Sequence, residues 1–416
     1  FVPHAGQLKA WNSDKRIVAM IAGSGGGKAL DINTLIPTPD GFVKMADIKV
    51  GDMVFDGNGM PTEVIAVSPI YYGHKCYKIT FDDNSEVIAD AEHLWVVQTA
   101  KQRKNTARWK EKRTSRRGGF NKKAGYSVLT TEEMANDFIV IDRGGERLNY
   151  SINTVAIAGK ERELPIPPYT LGVWLGDGNK NAAAITTMDK EILEEISKEG
   201  VPIGSPHGEG KGKAKSYGLT VAERGIDRDE KGRFTSGQTI QGKLRDLGVL
   251  NNKHIPQEYM FASFEQRLAL LQGIMDTDGY ISENGNCEIC FADKRLSEDV
   301  VTLLGSLGIK STIHEKHFVT LGKERTAYRI LFTTDLNVFR LPRKANRLNH
   351  KTRPTTKRRY IKRIEEVESV PVKCIAVSSP DKTYLCTESF IKTHNSLFGS
   401  FWLLREIQKH PKDSFM

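Results

Sequence analysis

The sequence predicts an all-β body interrupted by an α+β insert that repeats itself once. Three observations carry this reading. Short β-branched and aromatic runs near the start are punctuated by Gly51-Asp52, Asp56-Gly57 and Asp82-Asp83, as in a hairpin-rich sheet. Two similar segments, Thr170–Gly178 (TLGVWLGDG) and Leu271–Gly279 (LQGIMDTDG), each read as an apolar helical run stopped at Asp-Gly. Strand-like segments and a second helical stretch, such as SEDVVTLLGSLGI, follow each of them, so the two halves form an internal repeat. Finally, a glycine-rich loop near one end stops one residue short of completion, and the missing residue stands near the other end.

Composition sets the outer limits. The 416 residues are enough for several domains, and 39% apolar with 27% charged residues is an ordinary globular balance. No stretch approaches about 18 consecutive apolar residues and no charged-then-apolar leader opens the chain, so neither a membrane span nor a secretory signal is expected. Five scattered cysteines argue against a disulfide scaffold and for a reducing cytoplasm. The net charge of +10 suggests a nucleic-acid partner, and it is concentrated in two runs. Lys101–Lys123 holds eleven Lys/Arg against the single acid Glu111, and Arg340–Arg363 holds eleven with none. Solvated linkers are the plain reading; arms that neutralise phosphates and release counterions are the functional one, and their positions astride the insert favour it.

The interrupted loop is specific. After the strand-like RIVAMIA, residues Gly23-Ser24-Gly25-Gly26-Gly27-Lys28 make most of a Walker A phosphate loop, in which Gly23, Gly25 and Gly27 let backbone N–H groups approach ATP phosphates and Lys28 reaches their outer oxygens. The hydroxyl that should follow to ligate magnesium is missing, because position 29 is alanine. Joining Lys28 directly to Ser396 restores AGSGGGKSLFGSFWLLREI, a whole strand–loop–helix. A plain ATPase reading therefore fails for the chain as it stands, and residues 29–395 read as an insertion. The flanks, 1–28 and 396–416, resemble the ATPase region of phage terminase large subunits, with Gln7 in the place of an adenine-contacting glutamine; another P-loop motor or a helicase stays open. They are expected to be a fragment of a longer host.

The ends of the insertion resemble inteins, the self-excising elements of the hedgehog/intein (Hint) fold. The opening ALDINTLIPTPDGFVKMADIKVGDMVFD, then VIADAEHLW with His93 and Asp90, then VKCIAV, then SFIKTHN with His394 and Asn395, follow the family's blocks in order. Inteins usually begin with Cys or Ser, and Ala29 has no nucleophile. Three accounts compete: a site mutated to trap a precursor, a dead element, or the intein class that dispenses with the first nucleophile. Trp95, Cys374 and Thr393, with Ser396 downstream, match the marks of that class. The resemblance implies that Cys374 attacks the Lys28 carbonyl, His93 protonates the departing nitrogen, Ser396 takes the acyl group, and Asn395 cyclises with help from His394. No cofactor is implied for splicing.

The repeat resembles double-motif LAGLIDADG homing endonucleases. That implies close helix packing through Gly172 and Gly273, Asp177 and Asp278 as Mg²⁺ ligands, and double-stranded DNA as substrate, namely the host gene without the insertion. Lys253, in NNKHIP, stands where the family often has an active-site lysine, with Lys310 a second candidate. An insert that binds DNA without cutting it is the rival reading. Cys287-x-x-Cys290 is a single pair in a strand-like run, and no metal is assigned to it. The expected division is a host fragment at 1–28, the N-terminal part of the Hint splicing domain at 29–97, a basic linker or DNA-contacting arm at 98–160, the endonuclease at 161–345, a basic linker with the C-terminal part of the Hint domain at 346–395, and a second host fragment at 396–416. The chain is expected to be monomeric and cytoplasmic, encoded by a phage or prophage.

Overall fold

A computed structural model describes residues 29–105, 125–142, 145–207, 214–221, 239–320, 322–348 and 353–395. Both ends of the insertion contribute to one ten-stranded sheet. Its strands are β1 (Leu30–Asp31), β2 (Cys76–Phe81), β3 (Glu86–Asp90), β4 (Leu94–Thr99), β5 (Ser127–Thr130), β6 (Tyr150–Asn153), β7 (Arg358–Val367), β8 (Val372–Lys373), β9 (Thr383–Cys386) and β10 (Ile391–His394). The order across the sheet is β8-β1-β3-β2-β7-β6-β4-β10-β9, with β5 also pairing β4. The first strand thus lies between one from the far end of the chain and one from its own hairpin region. The alternation that predicts strands is visible in β2, where Cys76, Tyr77, Ile79 and Phe81 are buried and Lys78 and Thr80 are less so. Leu30, Ile79, Phe81, Trp95, Tyr384 and Ile391 belong to its core.

One expected boundary shifts. Residues 98–160 were expected to be a linker, yet β5 and β6 lie inside it and complete the sheet, β6 pairing with both β4 and β7. Much of the first basic run, residues 106–124, lies outside the described residues. Of the part that is described, Arg103 is structural: its guanidinium donates to the carbonyls of Gln98 (2.6 Å), Asn149 (2.8 Å) and Leu148 (2.7 Å). The second run is largely spoken for as well. Arg359 and Asp83 form a buried pair at 2.5 Å, Arg340 lies over the Tyr169 ring and reaches Glu199 (3.1 Å), and Lys357 meets Asp335 (2.6 Å). The plain reading of two solvated linkers and the reading of two free phosphate-gripping arms both fail for these residues, because neighbouring carbonyls, carboxylates and rings already hold them.

The insert is built on helices α1 (Pro168–Asp177) and α2 (Phe264–Thr277). Pro168 opens α1 at a position that needs no N–H donor, and a capping box between Ser263 and Gln266 opens α2. A Cβ on Gly172 would stand 2.2 Å from the Leu270 carbonyl oxygen, and one on Gly273 2.2 Å from that of Tyr169, so the two backbones meet through their glycines. Each helix is followed by an antiparallel sheet, Ala184–Thr187 with Lys215–Leu219 and Ile203–His207 in the first half, and Gly279–Ile281, Cys287–Phe291, Lys323–Phe332 and Ser311–Thr320 in the second. The helices Lys190–Lys198 and Lys294–Ser306 complete the repeat.

The two bodies share apolar contacts. Phe55, Leu385 and Phe390 of the sheet body belong to the core of the insert, and the Phe42 ring meets Phe261 at 5.1 Å. Arg267 is fully buried and binds the joining segment, its guanidinium donating to the carbonyls of Ile157 (2.5 Å), Ser306 (2.6 Å) and Ala262 (2.9 Å).

Candidate active sites

The first site forms where β1 enters the sheet. The register pairs Leu30 with Lys373 on one side and with Ala89 on the other, so Ala29 falls between Cys374 and Asp90. Asp90 N–H donates to the Ala29 carbonyl (3.0 Å), and Ala29 is 1% exposed, packed with Cys76, Val372 and Cys374. Cys374 is half-buried, and its N–H donates to Ser68 Oγ (3.0 Å).

Across the body, His93 and Thr393 are both fully buried, and His93 Nε2 shares a short hydrogen bond with Thr393 Oγ1. The position of that imidazole is set by its neighbours. Trp95 packs edge-on against it with centroids 4.9 Å apart, and Trp95 Nε1 donates to Thr131 Oγ1 (3.0 Å), whose hydroxyl turns back to the His93 carbonyl (3.3 Å). His93 N–H donates to the Asp90 carbonyl (3.0 Å), which ties this group to the Ala29 end. His394 ends β10, half-buried, opposite Thr383 and Leu94. Asn395 is 1% exposed, and in the orientation that satisfies both partners its amide nitrogen donates to the Lys382 carbonyl (2.5 Å) while its oxygen accepts from Val377 N–H (2.8 Å).

The structure therefore brings Ala29, Asp90, Cys374, His93, Trp95 and Thr393 into one connected region, with Asn395 and His394 on the adjoining strand end. Lys28, Ser396, Gly23, Gly25 and Gly27 lie outside the described residues. Sequence reasoning missed two neighbours. His74 Nδ1 forms a short pair with Asp90 Oδ2; a lone histidine in a loop carries no motif, and only the pairing exposes it. Tyr384 is buried with its hydroxyl unpartnered among the described residues, and burial followed by the Cys374 charge pushes that phenol upward.

The second site lies at the joined ends of α1 and α2, which the close glycine contact brings together. A Cβ on Gly176, the residue before Asp177, would stand 3.3 Å from Asp278 Oδ2, so the two carboxyls converge. Burial raises the Asp177 carboxyl above the usual range. Although the Asp278 side chain keeps an open rim to solvent, the dense helix ends beneath it withdraw water from the carboxyl, and the Asp177 charge adds to that, pushing it up to about 6.

Two lysines flank the pair. Lys253 Nζ donates to the carbonyls of Leu175 (2.9 Å) and Gly176 (3.0 Å), and Lys344 Nζ to those of Met275 (2.9 Å), Asp276 (2.8 Å) and Gly279 (2.7 Å). Each caps the C-terminal end of one helix, so Lys344 is the mate of Lys253 in the repeat. The expectation for Lys310 is corrected: its Nζ pairs with Asp82 (2.8 Å), and among the described residues no ion pair joins it to Asp177 or Asp278. Repeat halves of unequal length hid Lys344. Cys287 is buried and Cys290 exposed on one strand, so a single ion cannot be held by both.

Two hard carboxylates that repel each other suit a divalent cation held by oxygen. Among the described residues no group of three or more His, Cys, Asp or Glu gathers as a metal cluster, so Asp177 and Asp278 would share such an ion with carbonyl oxygens or substrate.

Residues 265–344 match the LAGLIDADG-like domain family. The replicative DNA helicase DnaB of Mycobacterium intracellulare is 34% identical over 404 residues, covering 94% of this chain. The chain spans 63% of that relative's length. Similar solved structures include the Msm DnaB1 intein splicing domain bound with zinc (13% identical, TM-score 0.25) and the MchDnaB-1 intein (14% identical, TM-score 0.25), each matched over 88% of this chain and 100% of that one. The expected terminase-like host is not supported, since the relative is a replicative helicase. No helix among the described residues is long and apolar enough to cross a membrane. The two ends of the insertion are thus woven into one all-β body around His93, Thr393 and Asn395, and residues 265–344, which match the LAGLIDADG-like domain family, lie between them.

Proposed function

We propose that residues 29–395 excise themselves and join Lys28 to Ser396 by the route that needs no nucleophile at position 29. The observation that carries this reading is the register setting Ala29 directly beside Cys374. The Cys374 thiolate attacks the Lys28 carbonyl carbon; the sulfur–carbon bond forms, the Lys28–Ala29 carbon–nitrogen bond breaks, and a proton passes to the Ala29 nitrogen, with His93 as donor. Trp95 and Thr393 hold that imidazole in place. The acyl group moves to the Ser396 hydroxyl. The Asn395 amide nitrogen, oriented by the Lys382 carbonyl, closes on the Asn395 carbonyl with His394 assisting, and the ester left behind rearranges to the amide.

The nested domain hydrolyses double-stranded DNA at a defined site. Asp177 and Asp278 would hold the divalent ion, with Mg²⁺ as the species, and Lys253 and Lys344, whose ammonium groups cap the two helix ends, would set the carboxylates in place and offset the charge of the phosphate being cut. The bound ion supplies charge neutralisation at the phosphate and a more acidic water. The DNA target is the host gene without the insertion, the host is a DnaB-type replicative helicase, and the protein acts as a cytoplasmic monomer.

The test is mass spectrometry of the expressed chain beside a Cys374→Ala variant. Ligated flanks and free insert that appear only with Cys374 intact support the reading. A parent chain that stays whole, or that merely cleaves before Ser396, overturns it and makes Ala29 a lost nucleophile.

A further inference from the structure

The loop between the strand Pro61–Val67 and β2 crosses the end of β1 at which Ala29 sits. It is tethered on both sides of that residue. On the β8 side, Ser68 N–H donates to the Cys374 carbonyl (2.9 Å), and Tyr71 and Val372 exchange both backbone hydrogen bonds at 2.9 Å. On the β3 side, His74 Nδ1 pairs with Asp90 Oδ2, and the chain enters β2 at Cys76, opposite Asp90. The His74 ring also stacks on Tyr71, with centroids 5.4 Å apart and planes 17° from parallel.

Residues paired in register project to the same face of a sheet. Cys76, Asp90, Ala29 and Cys374 therefore form one row, in which Ala29 offers only a methyl group between the Asp90 carboxylate and the Cys374 thiol. His74 is bound at one end of this row and stacked on a residue anchored at the other. A thiol is a poor nucleophile until it loses its proton, so the reaction needs a base at this point.

We propose that His74, oriented by Asp90, is the base that activates Cys374. The Cys374 Sγ proton passes to His74 Nε2, the sulfur lone pair forms the bond to the Lys28 carbonyl carbon, and Asp90 stabilises the imidazolium through Nδ1. Protonation of the leaving nitrogen stays with His93, so proton removal and proton delivery fall to two histidines. Asp90 is a positioning residue here. The inference rests on Cys374 being the attacking group.

The full 416-residue chain is expressed as parent, Cys374→Ala, His74→Gln and His74→Gly, and cleavage is followed by mass spectrometry at each junction separately. Cleavage between Asn395 and Ser396 serves as the control for folding. His74→Gln is expected to slow breakage of the Lys28–Ala29 bond by about 10²-fold or more while leaving the other junction within threefold. Added imidazole is expected to restore part of the rate in His74→Gly and none in Cys374→Ala. Breakage at the parent rate in His74→Gln, equal losses at both junctions, or no restoration by imidazole overturns the role of His74. If Cys374→Ala itself splices normally, the reading beneath it fails instead.

Discussion

The two candidate sites treat water in opposite ways. His93, Thr393 and Asn395 are almost completely enclosed, whereas Asp278 keeps an open rim at the end of a helix pair. Under the proposed function the substrate of the first site is the chain itself, delivered by folding, so the site can close around it before any chemistry begins. The proposed substrate of the second is a large polyanion that arrives from solution and needs an open approach. The difference also explains how each site is assembled. A buried site takes its geometry from strand register, which fixes Ala29 between Cys374 and Asp90; the open site takes it from helix packing, which fixes two carboxyls through Gly172 and Gly273.

If the two sites are independent, damage to one should spare the other. The largest expected effect is Asp177→Asn, which removes one of two carboxylates from the ion. DNA cleavage should fall by about 10³-fold, roughly 4 kcal/mol of lost transition-state stabilisation, while the splicing rate stays within twofold. Plasmid cleavage and mass spectrometry on the same preparation check both halves. A splicing loss of similar size would mean that the shared contacts at Phe55, Leu385 and Phe390 couple the sites.

A smaller effect separates the sequence reading of the lysines from the structural one. Lys344→Met should reduce DNA cleavage by about tenfold to a hundredfold, the scale of one charged hydrogen-bonding group, and Lys253→Met by a similar factor. Lys310→Met should leave cleavage within threefold, because its ammonium is engaged with Asp82 on the splicing body. Equal losses from Lys310 and Lys344 would break the pseudo-symmetric assignment.

What was legible in the chain follows from how each feature is encoded. His93, Cys374, Thr393 and Asn395 sit in short local patterns at the ends of the insertion, and Asp177 and Asp278 at the ends of two matching helical runs, so the sequence offers them as candidates before any fold is known. The loop histidine His74 has no such pattern; its significance comes from a pairing with Asp90 that exists only once β2 and β3 are side by side. The basic runs misled because charge was read without partners: Arg103 spends its donors on carbonyls, and Arg359 on the buried Asp83. The strands β5 and β6 were absorbed into a linker because strong local charge outweighed four-residue segments whose pairing is supplied by distant strands.

The smallest predicted effect is a pH dependence confined to the open site. Burial and the Asp177 charge hold the Asp278 carboxyl up at about 6, so without an ion this group is mostly protonated below pH 6 and mostly ionised above it. An ion needs the ionised form, so binding below that pH must first release a proton. Divalent-ion affinity, measured by calorimetry on the full chain, should be nearly flat above about pH 7 and about tenfold weaker at pH 5. Replacing Asp177 by Asn removes the like charge, which lowers the Asp278 carboxyl and moves the break in the profile to lower pH, even as the affinity at neutral pH drops. A break that stays near 6 in that variant would assign the shift to burial alone and would argue that the two carboxyls do not face one another closely enough to share an ion.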